Sequence, residues 1–324
     1  MLHAELHRLI LNEPFRIAHG TSNERLVVRV THGVGIGEAP FVPYYGDVPE
    51  ATLAALLSLG SPADELPPEA PRTARLALDL LRHDLAAKAH GVPLWQHLKL
   101  PDPNGKPGCR SFSIPLDLSV FRERVGETAR QFRVLKLKLG SGNTEFDEAI
   151  AAIAREAAPH ATLLADANGG WSPQDAARLL PRLARHELTL VEQPVNHTQG
   201  LEPWRELQSL ITRQPMLLIA DESAQTAEDV PQLVPFVDGV NVKLLKCAGI
   251  AGALRMIETA RAHSMQVLLG CMIESSLGTT AAAQLAGCVD WIDLDGHLYV
   301  ANDDFAGLRY DANGALRLPV QLAQ

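Results

Sequence analysis

Hydrophobic and polar residues change their spacing once along the chain, near residue 110. Before that point, alternating segments such as AELHRLIL and RLVVRVTHG predict strands, and helical patterns follow at about 49–60 and 70–90. A turn-rich stretch, LPDPNGKPG, then interrupts both patterns. The first third of the chain therefore predicts a small α+β domain that ends in a linker.

From about residue 111 onward, short apolar runs alternate with amphipathic helical stretches. The runs are SFSIPLDL, VLKLKL, ATLLADA, LTLVEQP, MLLIADE, GVNVKLL, QVLLGCM and WIDLDG. The segments between them carry the three-and-four spacing of helices packed on a sheet. Eight strands with intervening helices predict a TIM-type α/β barrel. A doubly wound open sheet is less suitable, because no glycine-rich phosphate loop follows the first strand.

The composition limits the partners that this protein can have. The chain has 324 residues, of which 46% are hydrophobic and 21% charged, with a net charge of -9 and a pI near 5.7. This balance disfavours nucleic acid and anionic membranes as partners. No apolar stretch is long enough to span a bilayer, and the first residues lack the pattern of a secretion signal. We therefore expect a cytoplasmic protein that acts on a small molecule.

Three acids stand at the ends of consecutive predicted strands: Asp166, Glu192 and Asp221, about one β/α unit apart. The ends of neighbouring parallel strands meet at one rim of a barrel, and oxygen ligands there suit Mg²⁺ or Mn²⁺. A helix N-cap or a loop ion pair explains one such acid equally well, but three in succession would repel one another without a cation. Asn168 shares the inward direction of Asp166 and would bind metal-bound water or substrate, whereas Glu222, next to Asp221, is expected to point away from it.

Lysines occupy two of the other predicted strands. Lys136 and Lys138 are two residues apart on the second strand, so both face the barrel axis while the leucines face the helices. Lys243 takes the same direction on the sixth strand, and Lys246 falls in the loop beyond it. In an eight-stranded barrel, the second and sixth strands lie on opposite sides of the axis. Two such lysines can take a proton from one face of a carbon and return one to the other, which is racemisation or epimerisation.

Removal of a proton next to a carboxylate needs nearby positive charge. A divalent ion would stabilise the enediolate as it forms, and the ammonium of Lys136 would add further charge. Neighbouring cations also lower the pKa of a lysine, so that one of the lysines can act as a base. A solvated edge strand is the alternative for the KLK string when that string is taken alone.

Taken together, these strings resemble the enolase superfamily and, within it, the muconate-lactonizing enzyme subgroup. The resemblance covers essentially the whole chain: KLK on the second strand, acids in DANGGW, EQP and ADES, and NVKLLKCAGI on the sixth. It implies an N-terminal α+β capping domain (1–108) and a modified TIM barrel, (β/α)7β (109–296). A C-terminal segment (297–324) would return to the capping domain.

The resemblance also implies roles for individual residues. Lys138 and Lys243 would be the acid/base pair, as the matching lysines are in the family. Asp166, Glu192 and Asp221 would be the metal ligands, with Mg²⁺ or Mn²⁺ and without an organic cofactor.

The string DLDG on the predicted eighth strand separates members of the subgroup. Asp293 and Asp295 are two residues apart, so both face the pocket. A DxD at this place resembles the dipeptide epimerases, in which the acids hold the α-ammonium of the substrate. An N-acylated amino acid has no ammonium there, and muconate is itself an anion. A turn with Gly296 is the structural alternative for the two acids.

Two loops of the capping domain are expected to close over the barrel and set specificity. In the first, near residues 15–24, relatives that act on alanyl-glutamate often have an arginine. This chain has His19 near that place, with Arg16 and Arg25 close by. The second loop, about 41–46, FVPYYG, provides Phe41, Tyr44 and Tyr45, which would instead cover an apolar or mixed side chain.

The sequence therefore predicts a metal-dependent dipeptide epimerase that inverts the α-carbon of the second residue of an L,L-dipeptide. A racemase of N-acylamino acids, an o-succinylbenzoate synthase or a cycloisomerase on the same scaffold is the enzymatic alternative. A barrel that binds a ligand without turnover is the non-enzymatic one. We expect no nucleic acid or membrane partner, and assembly into a homo-oligomer is compatible with the sequence.

Overall fold

The computed structural model describes residues 2–319 and begins with a three-stranded antiparallel sheet, called the N-terminal sheet below. Its strands are β1 (His3–Ile17), β2 (Gly20–His32) and β3 (Gly35–Pro40), in that spatial order. The strands β1 and β2 form one long hairpin, whose turn contains His19. One face of this sheet is covered by helices, and the other faces the rest of the molecule.

Three helices follow the sheet: α1 (Pro49–Leu57), α2 (Arg72–His90) and α3 (Leu94–His97). The long helix α2 packs on β2 and β3. An ideal Cβ at Gly37 of β3 would lie 2.0 Å from the Ala77 carbonyl oxygen, so only glycine lets the strand approach the helix this closely.

Eight parallel strands form the second sheet, and each is hydrogen-bonded to the next along the chain. They are β4 (Cys109–Phe112), β5 (Val134–Lys138), β6 (Thr162–Asp166), β7 (Leu188–Glu192), β8 (Leu217–Ala220), β9 (Gly239–Val242), β10 (Gln266–Gly270) and β11 (Trp291–Asp293). The edge strands β4 and β11 contact each other, so the sheet curves into a barrel. The predicted first strand, SFSIPLDL, is placed too late, because β4 pairs in register with β5 from Cys109 and ends before Pro115.

Helices alternate with these strands and cover the outside of the barrel. They are α4 (Leu118–Thr128), α5 (Thr144–Ala157), α6 (Pro173–Ala184), α7 (Glu202–Leu210), α8 (Val230–Leu233), α9 (Ile250–Ala262) and α10 (Ser276–Ala283). After β11 comes a short 3-10 turn, Gly296–Tyr299, instead of an eighth α-helix. The predicted (β/α)7β form of the TIM barrel, with an N-terminal α+β domain, is therefore confirmed. None of the helices within residues 2–319 has the length and apolar character needed to cross a membrane.

Alternation along the barrel strands separates two cores. A small apolar cluster fills the barrel axis, formed by Cys109, Val134, Leu164, Leu190, Ile219 and Leu268. The residues between them, such as Leu135 and Leu163, belong to the large core between the strands and the helices. Two positions after the axial residues, the inward side chains are mostly polar and lie nearer the carboxyl rim. The strand period thus delivers the acids and lysines to the open end of the barrel.

The last part of the described chain runs back along the N-terminal sheet. Val300 forms a bridge with Leu11 of β1. A short hairpin of β12 (Arg309–Tyr310) and β13 (Leu316–Arg317) follows. Of the predicted C-terminal segment, residues 320–324 lie outside the described residues.

Candidate active site

The three predicted metal ligands come together at the carboxyl rim of the barrel. Asp166 ends β6, Glu192 ends β7, and Asp221 directly follows β8. All three side chains are buried, and one carboxylate oxygen from each lies within 4.8 Å of the other two. This spacing allows the three oxygens to contact a single ion.

Neighbouring charges set the ionisation of this triad. Burial, followed by the negative charge of Asp166, raises the pKa of Glu192 to about 7. Burial also acts on Asp221, but Lys243 and Lys246 outweigh it and hold the pKa of that carboxyl well below its ordinary value. A cation bound at the triad would therefore stabilise the ionised form of Glu192 most. A buried, oxygen-only donor set with excess negative charge suits Mg²⁺ or Mn²⁺.

Lys138 and Lys243 lie on either side of the triad. Lys138 ends β5 and Lys243 directly follows β9, and these strands stand on opposite sides of the eight-stranded barrel. Lys138 Nζ donates to Asp166 Oδ2 at 2.6 Å, and Lys243 Nζ donates to Asp221 Oδ2 at 2.6 Å. Both side chains line one cavity beneath the N-terminal sheet. A substrate carbon held above the triad would have one amine on each side.

The carboxylates change the basicity of the buried lysines. Burial lowers the pKa of Lys243, but Asp221 and Glu192 outweigh it and raise that pKa well above its ordinary value. Burial also acts on Lys136, where Asp293 and Glu192 raise the pKa in the same way. The expectation that a metal ion and neighbouring lysines lower the pKa of one lysine stays a prediction, because a cation at the triad would oppose the charge of these acids.

Two further lysines are buried within the site. Lys136 Nζ lies 2.6 Å from Asp293 Oδ2 and 2.6 Å from Glu192 Oε2, so it connects the triad to the acids of the eighth barrel strand. Lys246 donates to Oδ1 of Asp221 at 2.6 Å and to the carbonyl of the same residue at 2.7 Å. Its place in the loop after β9 was predicted, but its contact with a metal ligand was not. The second lysine in KLLK was the only signal for it in the sequence.

Asp293 and Asp295 face the same cavity, and the first barrel strand holds both. Asp293 Oδ1 accepts a hydrogen bond from Ser111 Oγ at 2.8 Å. Asp295 Oδ2 accepts from Arg110 Nη1 at 2.9 Å and from the Ser111 amide at 2.7 Å. The Arg110 guanidinium also lies over the Tyr299 ring, 4.2 Å from its centre. The sequence analysis did not identify Arg110 and Ser111. They lie on the first barrel strand and meet the acids after the last strand only because the barrel closes.

Asn168 lies beside the triad, as predicted from its direction. Its backbone N–H donates to Asp166 Oδ1 at 2.8 Å, and its side-chain Nδ2 donates to Glu222 Oε1 at 3.2 Å. Glu222 was expected to point away from Asp221, and this expectation is wrong. Because β8 ends at Ala220, strand alternation no longer applies at this point. Burial, followed by Asp221, raises the pKa of Glu222 to about 8.

The second capping loop forms part of the roof of the cavity. Tyr44, in the 3-10 turn Pro43–Tyr45, lines the cavity. The His19 ring centre lies 5.1 Å from the Tyr44 ring centre, and the Tyr45 ring centre lies 5.0 Å from it. Tyr45 also packs against the Arg72 guanidinium, at 4.9 Å. Of the predicted aromatic contacts, Tyr44 is the one directed at the substrate space, with His19 and Tyr45 packed around it.

A parallel barrel whose carboxyl rim carries three acids between two lysines has the architecture of an enolase-superfamily enzyme. The chain belongs to the enolase C-terminal domain-like family, whose sequence model matches residues 120–321. The resemblance inferred from the motifs is thus confirmed.

Curated relatives support the same assignment. The chain is 41% identical to a hydrophobic dipeptide epimerase of Roseobacter litoralis over 240 residues, which cover 72% of this chain and 68% of the relative. It is 33% identical to the L-Ala-D/L-Glu epimerase of Bacteroides thetaiotaomicron over 307 residues, which cover 88% of this chain and 75% of the relative.

Solved structures agree with the observed fold. A dipeptide epimerase from Enterococcus faecalis, complexed with Mg and L-Leu-L-Tyr, superposes with a TM-score of 0.86 at 27% identity and covers 99% of this chain and 98% of its own. The substrate-liganded L-Ala-D/L-Glu epimerase from Bacillus subtilis gives a TM-score of 0.85 at 26% identity, with 100% and 97% covered.

Proposed function

We propose that this protein is a metal-dependent dipeptide epimerase that inverts the α-carbon of the second residue of an L,L-dipeptide. The observation that carries the proposal is the placement of Lys138 and Lys243, each 2.6 Å from a different outer acid of one triad. Two amines on opposite sides of a single ion site are what a two-base inversion of one carbon requires.

In this proposal the cation is held by Asp166, Glu192 and Asp221. Mg²⁺ is the expected ion, and Mn²⁺ suits the same oxygens. A divalent cation there would withdraw charge from the substrate carboxylate and so acidify the α-proton. The pKa of Glu192, raised to about 7 by burial and by Asp166, supports this role, because a cation would remove that electrostatic penalty.

The chemical step is a proton exchange across the two faces of the α-carbon. One lysine, as a neutral amine, takes the α-proton, and the other, as an ammonium, gives a proton to the opposite face. Lys136 stays protonated between Glu192 and Asp293 and adds positive charge beside the reacting carboxylate. A cation bound to the triad would draw negative charge away from Lys243, which lowers its pKa toward the range of a base.

The α-ammonium of the dipeptide is proposed to bind at Asp293 and Asp295. Arg110 and Ser111 both contact Oδ2 of Asp295, so they do not occupy Oδ1, and Asp293 and Asp295 both line the cavity. An N-acyl group would bring no charge to this position. An N-acylamino acid racemase, an o-succinylbenzoate synthase or a cycloisomerase is therefore less well supported.

The remaining assignments belong to the same proposal. The capping domain would end near residue 108 and the barrel would span 109–296. His19 and Tyr45 would help to cover the bound dipeptide, and Asn168 would orient water or substrate at Asp166. No organic cofactor is required for this chemistry.

Exchange with solvent tests the proposed function. In D₂O with Mg²⁺, we expect incorporation of one deuterium at the second α-carbon of a free L,L-dipeptide, measured by mass spectrometry, together with formation of the L,D product. A barrel that only binds its ligand would give no incorporation. Faster exchange of an N-acetyl amino acid than of every dipeptide would favour the racemase.

The acid pair can be tested separately. We expect the double variant Asp293→Asn, Asp295→Asn to lose turnover of the free dipeptide much more than turnover of its N-acetyl analogue, because only the free dipeptide has an ammonium. Equal losses for both compounds would show that the acids do not bind this group.

A further inference from the structure

The barrel strand β11 does not fix the direction of the Asp295 side chain. The strand ends at Asp293, and Asp295 lies two residues later, directly before the 3-10 turn Gly296–Tyr299. The backbone of Asp295, with a φ of -99° and a ψ of 6°, is no longer extended, so strand alternation does not apply to it. Another contact must therefore hold this carboxylate at the cavity.

An aspartate directly before a helical turn commonly accepts hydrogen bonds from the first N–H groups of that turn. The Asp295 side chain makes no such hydrogen bond. Its Oδ2 instead accepts from Arg110 Nη1 at 2.9 Å and from the Ser111 N–H at 2.7 Å. The carboxylate is thus held by the first barrel strand and not by its own turn.

The Arg110 guanidinium is itself held in one orientation. It lies over the Tyr299 ring, 4.2 Å from the ring centre. The Tyr299 ring packs edge-on against the Phe15 ring, with 4.7 Å between the centres, and the Tyr299 hydroxyl donates to the Ser111 carbonyl. A planar guanidinium can stack on a ring with its face and donate to a carboxylate in its own plane, which a lysine ammonium cannot do.

The two acids of the eighth barrel strand differ in their positive partners. Asp293 lies 2.6 Å from Lys136 Nζ, which also lies 2.6 Å from Glu192 and so belongs to the metal triad as well. The positive partner of Asp295 is Arg110. The Asp295 side chain is only 4% exposed, and a buried carboxyl group without a positive partner favours its protonated form. Burial raises the pKa of Asp295, and the charge of Arg110 opposes that shift.

We propose that Arg110 is a positioning residue for substrate recognition, which holds Oδ2 of Asp295 so that this acid stays at the cavity and can bind the α-ammonium of the dipeptide. The inference rests on the proposed function and adds a residue to its recognition site. Among the described residues, Asp295 lines the cavity and Arg110 does not. Arg110 therefore acts through Asp295 and not by contact with the substrate.

A double-mutant cycle separates this role from general support of the fold. Four proteins are compared: wild type, Arg110→Met, Asp295→Asn and the double variant. With Mg²⁺ in D₂O, kcat and KM are measured for deuterium exchange into L-Ala-L-Leu and L-Ala-L-Glu, and the dipeptide that wild type exchanges faster is used throughout. Absence of exchange into both dipeptides by wild type would count against the proposed function itself.

The effect of Arg110→Met should depend on Asp295. In the wild-type background, we expect kcat/KM to fall by about 30-fold or more, mainly through KM, because the ammonium loses an oriented and charged partner. In the Asp295→Asn background, the further loss should be less than about twofold, because no carboxylate remains to be held. Similar losses in both backgrounds would show that Arg110 supports the barrel independently of Asp295. That result, or an unchanged kcat/KM in Arg110→Met, would overturn the inference.

Arg155→Met is the matched control. The Arg155 side chain is 19% exposed, as is that of Arg110, but it donates to the His186 carbonyl at 3.0 Å on the outside of the barrel. We expect its KM to equal that of wild type. A rise in KM as large as that of Arg110→Met would show that loss of any partly buried arginine has this effect, and it would overturn the inference. If Arg110→Met does not fold, Arg110→Gln takes its place in the cycle, with the same expected and contradicting results.

Discussion

Two lysines of the barrel rim and one arginine of the N-terminal sheet differ in the partners of their positive charges. At the rim, Lys138 and Lys243 each lie 2.6 Å from a carboxylate. On the N-terminal sheet, Arg25 makes its hydrogen bonds within residues 2–319 to neutral oxygens. The rim carries groups that every turnover would use, and the acids and bases there stabilise one another. The Arg25 charge of the N-terminal sheet, in contrast, is hydrogen-bonded to uncharged groups.

The largest expected effect concerns the paired lysines of the rim. Lys138→Ala and Lys243→Ala should each lower the rate of inversion by at least about 1000-fold, because each removes one of the two proton carriers. Each variant should still exchange the α-proton of one epimer without inversion, measured in D₂O by mass spectrometry and chiral chromatography. Lys99→Ala, at an exposed position, serves as control. Substantial inversion in either active-site variant would contradict the two-base assignment.

The contrast between paired and unpaired arginines can be measured as stability. Arg29→Met should lower the free energy of unfolding by about 3 kcal/mol, since Glu38 would remain buried without its partner. Arg25→Met should change it by less than about 1 kcal/mol, because no carboxylate loses a partner. Urea unfolding of the two variants side by side provides the comparison. A loss for Arg25→Met as large as that for Arg29→Met would remove the distinction between them.

Metal binding tests whether the rim acids hold a cation. At a Mg²⁺ concentration about 100 times Kd, the free energy of unfolding should rise by about 2.7 kcal/mol, seen as a higher Tm that EDTA reverses. Asp221→Asn removes one ligand and should reduce this shift strongly. A shift of equal size in the variant would place the ion elsewhere.

The smallest expected effect concerns Glu274, a buried acid of the rim. Burial, followed by the negative charge of Glu38, raises its pKa from the ordinary 4.5 to about 8, while Lys243 opposes this only in part. The folded protein then keeps a proton that the unfolded chain loses. This contribution to stability is complete below the unfolded pKa and is lost as the pH rises through the folded pKa.

Glu274→Gln should remove that pH dependence. Relative to wild type, the variant should gain about 1 kcal/mol in free energy of unfolding between pH 6 and pH 7, measured by urea denaturation. Glu258→Gln, at an exposed acid of α9, is the matched control and should follow wild type. Parallel curves for wild type and Glu274→Gln would mean that Glu274 is ionised in the folded protein.

Most of the barrel was predictable because its signals are local. A period of two residues turns Lys136 and Lys138 inward, and apolar runs that end in Asp166 and Glu192 place both acids at the same rim. The same two-residue period gave a wrong side-chain direction for Glu222, because β8 ends at Ala220. Periodicity therefore located side chains only as long as the strand continued.

Contacts that cross the barrel were not predictable. Arg110 reaches Asp295 because the last barrel strand closes against the first, and Lys246 reaches Asp221 because the loop after β9 lies beside the end of β8. No periodicity or motif in the sequence indicates which residue Arg110 or Lys246 contacts. Their roles depend on distances between segments that are far apart along the chain.

The sequence itself determined the order of the strands and the identity of the rim acids and lysines, because each strand and its rim residue form a local signal within one β/α unit. Several such signals taken together determined the enzyme family. Only the tertiary structure decided which charged side chains are paired. Arg25 and Arg29 are both arginines of the same strand, yet one meets Glu38 and the other meets neutral oxygens. Pairing energies fall steeply with distance and rise with burial, and both quantities exist only once the sheet and the barrel have come together.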